Sequence, residues 1–302
     1  MANAFAFYLD WIICAQFAGQ CWALDKGLYE AAELDVTLAP WQEDGRTIVE
    51  KVLAGGIGAG CSEDNLIVSA ACKNGSVKAI GAMLQGTPLV LMSRPEKRIR
   101  SIQDLRGKRI GMHNDGNRAL EMVLALNGIA PGDVKILEVP FDLEYLQQDR
   151  VDALQGYLMT EPIQLEAMGV IVDVLPVDHA HLHPYAQAYF ASTAVISSCG
   201  ALLSRFLAAS NAGWRAVLAH PGEAAGIVAK MMGDASQERE QRHMLDKLLP
   251  LVAGALPVEQ IGSIETAQWQ RNLATYFAYG LTDRLLALND VIDLTFEDGA
   301  TA

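Results

Sequence analysis

The chain has 302 residues, enough for two domains or one large one. At 51% hydrophobic and 20% charged it can bury a sizeable core, and its longest apolar stretches are broken by Gly, Ser or charge before reaching the roughly 18 residues of a membrane span. A net charge of −13 argues against a nucleic-acid partner, whose binding rests on Lys and Arg neutralising phosphates, and disfavours a highly anionic ligand unless a local basic pocket overrides the global field.

Apolar residues 4–9 read as a strand leading into Asp10-Trp11, and a helix follows from about Ala15 to the Lys26-Gly27 stop. Asp35 to Ala39 alternates like a strand, and Arg46 to Leu53 is helical up to Gly55-Gly56. Gly58-Ala59-Gly60-Cys61 is a small-residue segment. Ser62-Glu63-Asp64-Asn65 then supplies caps for a helix running to about Lys73. Val77–Met83 and Leu89–Met92 are strands, so the rhythm predicts a largely parallel sheet with helices on both faces. After a charged connector the same rhythm restarts. Arg109–Met112 is a strand, His113–Asn117 a loop and Arg118–Leu126 a helix stopped by Asn127-Gly128. Strands are expected at 134–139, 151–157 and 170–175, with helices at 143–148 and 162–168. Residues 179–189 read as loop and 190–197 as a strand crossing back. The remainder is helical, at about 200–219, 222–232, 237–252, 265–279 and 282–288. A helical tail returning after a second α/β lobe predicts a split first domain, 1–92 plus 195–302, around a second lobe, 93–194, with a hinge and a cleft between lobes.

Several groups carry candidate chemistry. An acid and an indole after a strand, Asp10 and Trp11, stand where open α/β sheets bind ligands; the structural alternative is a helix cap and core filling. Gln16 belongs to the same loop. Glu63 and Asp64 would repel an anion and favour a basic or N–H-donating ligand, or else they only cap a helix. Asn114, Asp115 and Gly116 open a helix whose free N–H groups suit an anion, or they cap it. Tyr157 can stack on a flat ring, and Glu161 can accept charge-assisted hydrogen bonds, or serve as a first-turn acid favoured by the helix dipole. If Asp10, Trp11, Tyr157 and Glu161 all bind ligand, they line one pocket.

His179, His181 and His183 alternate and so share a face in extended backbone; a metal site is the weaker reading and solvent-facing loop histidines the stronger. The five cysteines, Cys14, Cys21, Cys61, Cys72 and Cys199, form no CxxC pair and suit buried thiols in a reducing compartment. The glycine run at 55–60 lacks the Lys-Ser/Thr of a phosphate loop, and there is no GxGxxG, GxSxG or HExxH; no cofactor is expected. The first residues carry no signal-peptide pattern, so the expected location is periplasmic or lipid-anchored if a signal was removed, and otherwise cytoplasmic.

Leu9-Asp10-Trp11, then Ala23-x-Asp25-Lys26-Gly27-Leu28-Tyr29 and Leu34-Asp35-Val36, resembles the opening of thiamine-pyrimidine-type and sulfonate/nitrate-type substrate-binding proteins. Ser101-x-x-Asp104-Leu105-x-Gly107-Lys108-Arg109-Ile110-Gly111 and Val151-Asp152-Ala153-x3-Tyr157-x3-Glu161-Pro162 resemble later segments of that family. The resemblance spans about residues 5–230 and implies the type II periplasmic-binding-protein fold, α/β with two lobes. It implies an ABC-importer solute-binding protein taking a small aromatic or N-heterocyclic ligand like a thiamine pyrimidine precursor. A permease is then the macromolecular partner, and the chain itself a monomer or homodimer. Relatives on this fold include enzymes. Phe17 stands where the fungal thiamine-pyrimidine synthase has its reactive His, and 184–189 holds no cysteine, which removes that chemistry. Aryl-sulfinate desulfinases use a Cys in the first loop, where Cys14 lies. The alternative is therefore a cytosolic lyase, decarboxylase or desulfinase using Cys14 or Glu161, and a third is a sensory ligand-binding domain.

Overall fold

The computed structural model describes residues 2–113 and 116–296. In chain order, β1 (Asn3–Tyr8), α1 (Ala18–Asp25), α2 (Leu28–Ala31), β2 (Leu34–Ala39), α3 (Ile48–Ala54), β3 (Gly58–Ser62), α4 (Asp64–Asn74) and β4 (Val77–Ala82) come first. Next are β5 (Leu89–Ser93), β6 (Arg109–Met112), α5 (Asn117–Leu126), β7 (Lys135–Glu138), α6 (Glu144–Gln147), β8 (Ala153–Tyr157), α7 (Glu161–Ala167) and β9 (Asp173–Pro176). The chain ends with β10 (Ala188–Ser192), α8 (Thr193–Ala219), α9 (Pro221–Met231), α10 (Glu238–Ala253), α11 (Thr266–Ala278) and α12 (Leu288–Val291). It divides into two units, with the breaks after Gly86 and after His183.

The first unit holds the sheet β2-β1-β3-β10-β4. β1 pairs in parallel with β2 and β3, while β10 runs antiparallel between β3 and β4. Strand alternation turns Phe5 and Phe7 inward, where they meet Phe206 of α8 at ring-centroid distances of 4.6 and 4.9 Å; Tyr29 and Tyr189 complete the cluster. α8 lies tight on α1, because a Cβ at Gly213 would overlap the carbonyl oxygen of Gly19, and one at Gly19 would overlap the Trp214 indole. By length and hydropathy alone α8 could cross a membrane, contrary to the expectation that no stretch does; its Leu203, Phe206 and Trp214 are buried in this unit.

The second unit holds the sheet β7-β6-β8-β5-β9, with β6 parallel to β7 and β8, and β5 antiparallel to β8 and β9. Val90, Met92, Val139, Leu146, Val151, Leu154 and Leu165 form its core. Asp152 accepts from Arg109 Nε at 3.1 Å, Arg109 Nη2 at 3.0 Å and Lys97 Nζ at 2.9 Å, so the acid of the Val-Asp-Ala segment ties β8 to β6.

The expectations need several corrections. Placing the first lobe's end at 92 and the second's at 194 would put β5 and β10 in the wrong sheets, since β5 pairs only with second-unit strands and β10 only with first-unit strands. The sheets are mixed, because each receives a strand from a chain crossing. Gly58–Ser62 is a central strand rather than a connecting segment. The strand expected at 190–197 ends at Ser192, whose side chain caps α8 by accepting from the Val195 N–H at 3.2 Å. The expected helix at 282–288 is bent, irregular chain up to residue 287, and α12 starts at Leu288.

Candidate functional site

In the first unit, pairing fixes which loops share an edge. β1, β2 and β3 run in parallel, so Asp10-Trp11, Pro40-Trp41 and Glu63-Asp64 emerge at one end of the sheet. β10 is antiparallel with Ala188 opposite Ser62 and Ala82, which brings its lead-in residue Gln187 to the same end. The Gln187 carbonyl accepts from the N–H groups of Met83 and Leu84, and the Tyr185 carbonyl from that of Asp64, so the returning strand is pinned on both sides.

Asp10 is the centre of this edge. Its Oδ1 accepts from Gln187 Nε2 at 2.8 Å, Gln16 Nε2 at 3.3 Å and Cys61 Sγ at 3.5 Å. Burial pushes the carboxyl up to about 7, against the opposing pull of the Cys61, Gln187 and Gln16 hydrogen bonds. All three donors are neutral, and no Lys, Arg or His pairs with Asp10 among the described residues. Gln187 is 1% exposed, and its Oε1 has no hydrogen-bond partner among the described residues. Trp11 and Trp41 stack at 5.8 Å and 22°, held by a 3.1 Å hydrogen bond from the Trp41 N–H to the Trp11 carbonyl; both indoles are half-buried.

The other expected residues behave differently. Gln16 is buried and spends its amide on Asp10. Glu63 is the residue before α4. Asp64 turns into the protein, where its carboxylate accepts from Tyr276 Oη at 2.6 Å and Asn272 Nδ2 at 2.9 Å; burial raises it to about 6. Asp64 thus docks α11 onto the start of α4.

In the second unit, Tyr157 ends β8 and Glu161 opens α7. The Glu161 Oε2 accepts the Tyr157 N–H at 2.6 Å, which fixes this strand-end turn. Gly116 packs against the Gln155 amide, and Asn114 and Asp115 lie outside the described residues. Asp10 and Trp11 therefore belong to the first unit, and Tyr157 and Glu161 to the second.

Cys14 is 6% exposed, and burial, with Asp10 adding to it, pushes its thiol up to about 12. A reactive cysteine needs the opposite environment. His179 and His181 lie with ring centroids 5.4 Å apart, while His183 approaches Asp178 at 3.7 Å. No group of three His, Cys, Asp or Glu side chains is placed to hold a metal ion among the described residues.

Sequence reasoning missed Gln187 and Cys61, and singled out only the 40–46 loop, not its Trp41. Only the sheet register, with β10 running backwards between β3 and β4, could have brought Gln187 to Asp10.

Two α/β units, each with a mixed sheet and its candidate side chains at strand ends, define the periplasmic-binding-protein fold. The aliphatic sulphonate binding protein SsuA of Escherichia coli has the same fold, with a TM-score of 0.74 at 16% identity, covering 97% of this chain and 98% of that one. So does the desulfurization enzyme DSZB, with a TM-score of 0.64 at 14% identity, covering 99% of this chain and 98% of that one. Residues 14–224 match the family described as NMT1/THI5 like, and the chain belongs to that family. The riboflavin-binding protein RibY of Chloroflexus aurantiacus is 27% identical over 286 residues, 91% of this chain and 75% of that protein. The 4-amino-5-hydroxymethyl-2-methylpyrimidine phosphate synthase of Legionella pneumophila is 27% identical over 147 residues, covering 48% of this chain and 46% of that enzyme.

Proposed function

We propose that this chain is the solute-binding protein of an ABC-type importer and takes a small planar N-heterocycle bearing N–H groups, thiamine-pyrimidine-precursor-like, at the Asp10 edge of the first unit. The observation that carries this is a strand-end carboxylate held by three neutral donors on one oxygen, with no cationic partner among the described residues, beside two stacked indoles. In its ionised form, which predominates above about pH 7, this carboxylate attracts N–H donors and repels sulfonates and phosphates. The aromatic face adds stacking for a flat ring. The name of the Chloroflexus relative supports a binding role and a ring ligand. The same reading implies residence outside the cytoplasmic membrane and a permease as partner, with the chain a monomer or homodimer. It involves no catalytic step, and the shielded Cys14 thiol agrees with that.

Calorimetry with an aminopyrimidine, riboflavin and an aliphatic sulfonate tests it, with mass spectrometry showing whether each compound is recovered unchanged. The heterocycles bind and survive; the sulfonate does not bind. Asp10→Asn weakens binding by roughly 10–100-fold, the worth of a charge-assisted hydrogen bond. Tight sulfonate binding, or affinity untouched by both Asp10→Asn and Trp11→Ala, refutes the proposal. Tyr157→Ala and Glu161→Ala probe the second unit's candidates in the same assay, and ligand turnover would favour the enzyme alternative.

A further inference from the structure

The first unit carries a depression of about 210 Å³ beside the ends of β1 and β2. Its chemistry is unlike that of the Asp10 edge. Lys51, on the second turn of α3, is 8% exposed and lines the depression. A buried ammonium is costly unless its N–H groups are satisfied. Lys51 Nζ donates to the Gln42 carbonyl at 3.3 Å and pairs with Asp44 Oδ1 at 3.2 Å, leaving the third of its N–H groups without a protein acceptor among the described residues.

Asp44 does not cancel this charge. Its Oδ2 is clamped by Arg46 through Nε at 3.2 Å and Nη2 at 2.9 Å, and its Oδ1 also accepts the Arg46 backbone N–H at 3.1 Å. One carboxylate thus serves two cations, and the lining is left with one excess positive charge in a chain of net charge −13. The Tyr8 hydroxyl adds a neutral donor with no protein partner among the described residues. It reaches the depression because residue 55 is glycine; a Cβ there would come within 2.6 Å of the Tyr8 oxygen. Thr47 and Glu50 close a reciprocal capping box that fixes the start of α3, the helix that carries Lys51.

We propose that this depression binds a small oxyanion, a carboxylate or phosphate monoester, between the Lys51 ammonium and the Tyr8 hydroxyl. The site is separate in chemistry from the Asp10 edge and does not depend on the reading given above for it. An acid that repels anions and a lysine that attracts them then stand at the same end of one sheet.

The test is a titration of the full chain with inorganic phosphate, and separately with acetate, at constant ionic strength and without heterocycle, followed by amide NMR. Saturable shifts at Lys51 and Gly55 are expected. Lys51→Met and Tyr8→Phe weaken binding at least about tenfold, whereas Asp10→Asn, which removes a negative charge, does not weaken it. Should Lys51→Met fail to fold, Tyr8→Phe, which keeps the ring, decides alone. Shifts with acetate but not phosphate identify a carboxylate as the natural group, and the reverse a phosphate. No saturable shift with either anion overturns the proposal, as does equal binding by wild type and Tyr8→Phe. Phosphate shifts centred on the loop after β1 and untouched by Lys51→Met would place the anion at the Asp10 edge instead and overturn the proposal.

Discussion

Replacing Asp10 by Asn keeps the size and shape of the side chain and removes its charge. In the folded protein the carboxyl titrates near 7 rather than its ordinary 3.8, chiefly because it is buried. A group whose pKa rises on folding lends stability below its unfolded pKa and loses it as pH rises through the folded one. The gap between 3.8 and about 7 corresponds to ~4 kcal/mol at about 1.4 kcal/mol per pH unit. The side chain is not fully shielded, which brings the expectation to roughly 2–4 kcal/mol. Urea unfolding of ligand-free wild type and Asp10→Asn at several values between pH 4 and 8 isolates this group, because all others cancel in the difference. The variant is expected to gain relative to wild type as pH rises, by up to that amount, levelling off above about pH 7. A difference that stays constant with pH would refute the reasoning. On the proposed reading, the same substitution is expected to weaken heterocycle binding, so that the carboxylate would exchange stability for recognition.

Gly213→Ala forces α8 away from α1 and is expected to destabilise the protein by roughly 2–3 kcal/mol, read from urea midpoints. Tyr276→Phe removes the 2.6 Å hydrogen bond to buried Asp64 and costs roughly 1.5–3 kcal/mol by the same measurement; an unchanged midpoint would contradict the anchoring role. Iodoacetamide at pH 8 is expected to spare Cys14, Cys21 and Cys61 in the native protein and to label all five thiols after denaturation, as intact mass will show.

Much of the fold was legible because its elements follow ordinary periodicity, as in the alternation of Phe5 and Phe7 or the helix stop at Asn127-Gly128. β3 was not, since Gly58-Ala59-Gly60-Cys61-Ser62 carries no β-branched or aromatic residue. It is central because small residues are what fits there: a Cβ at Gly60 would crowd Val52 and Phe190. Val195-Ile196 favoured a longer strand, yet the Ser192 cap commits the chain to helix first. At the candidate site, Asp10 and Trp11 were visible as an acid and an indole after a strand. The role of Asp64 was not legible, because sequence shows an acid at a helix start but not its partner Tyr276, more than two hundred residues away.

The position of β10 also sets the order in which the protein can be completed. The second unit is one unbroken segment between Gly86 and Pro184 and is fully synthesised before β10 exists. Until residue 188 leaves the ribosome, β3 and β4 have no strand between them, and the hydrogen-bonding edges that face β10 stay open. The nascent first unit therefore waits, with its aromatic core short of Tyr189 and Phe206, while the unit encoded after it closes. Chains stalled just short of β10 should expose that gap to chaperones and proteases, and those stalled after α8 should not.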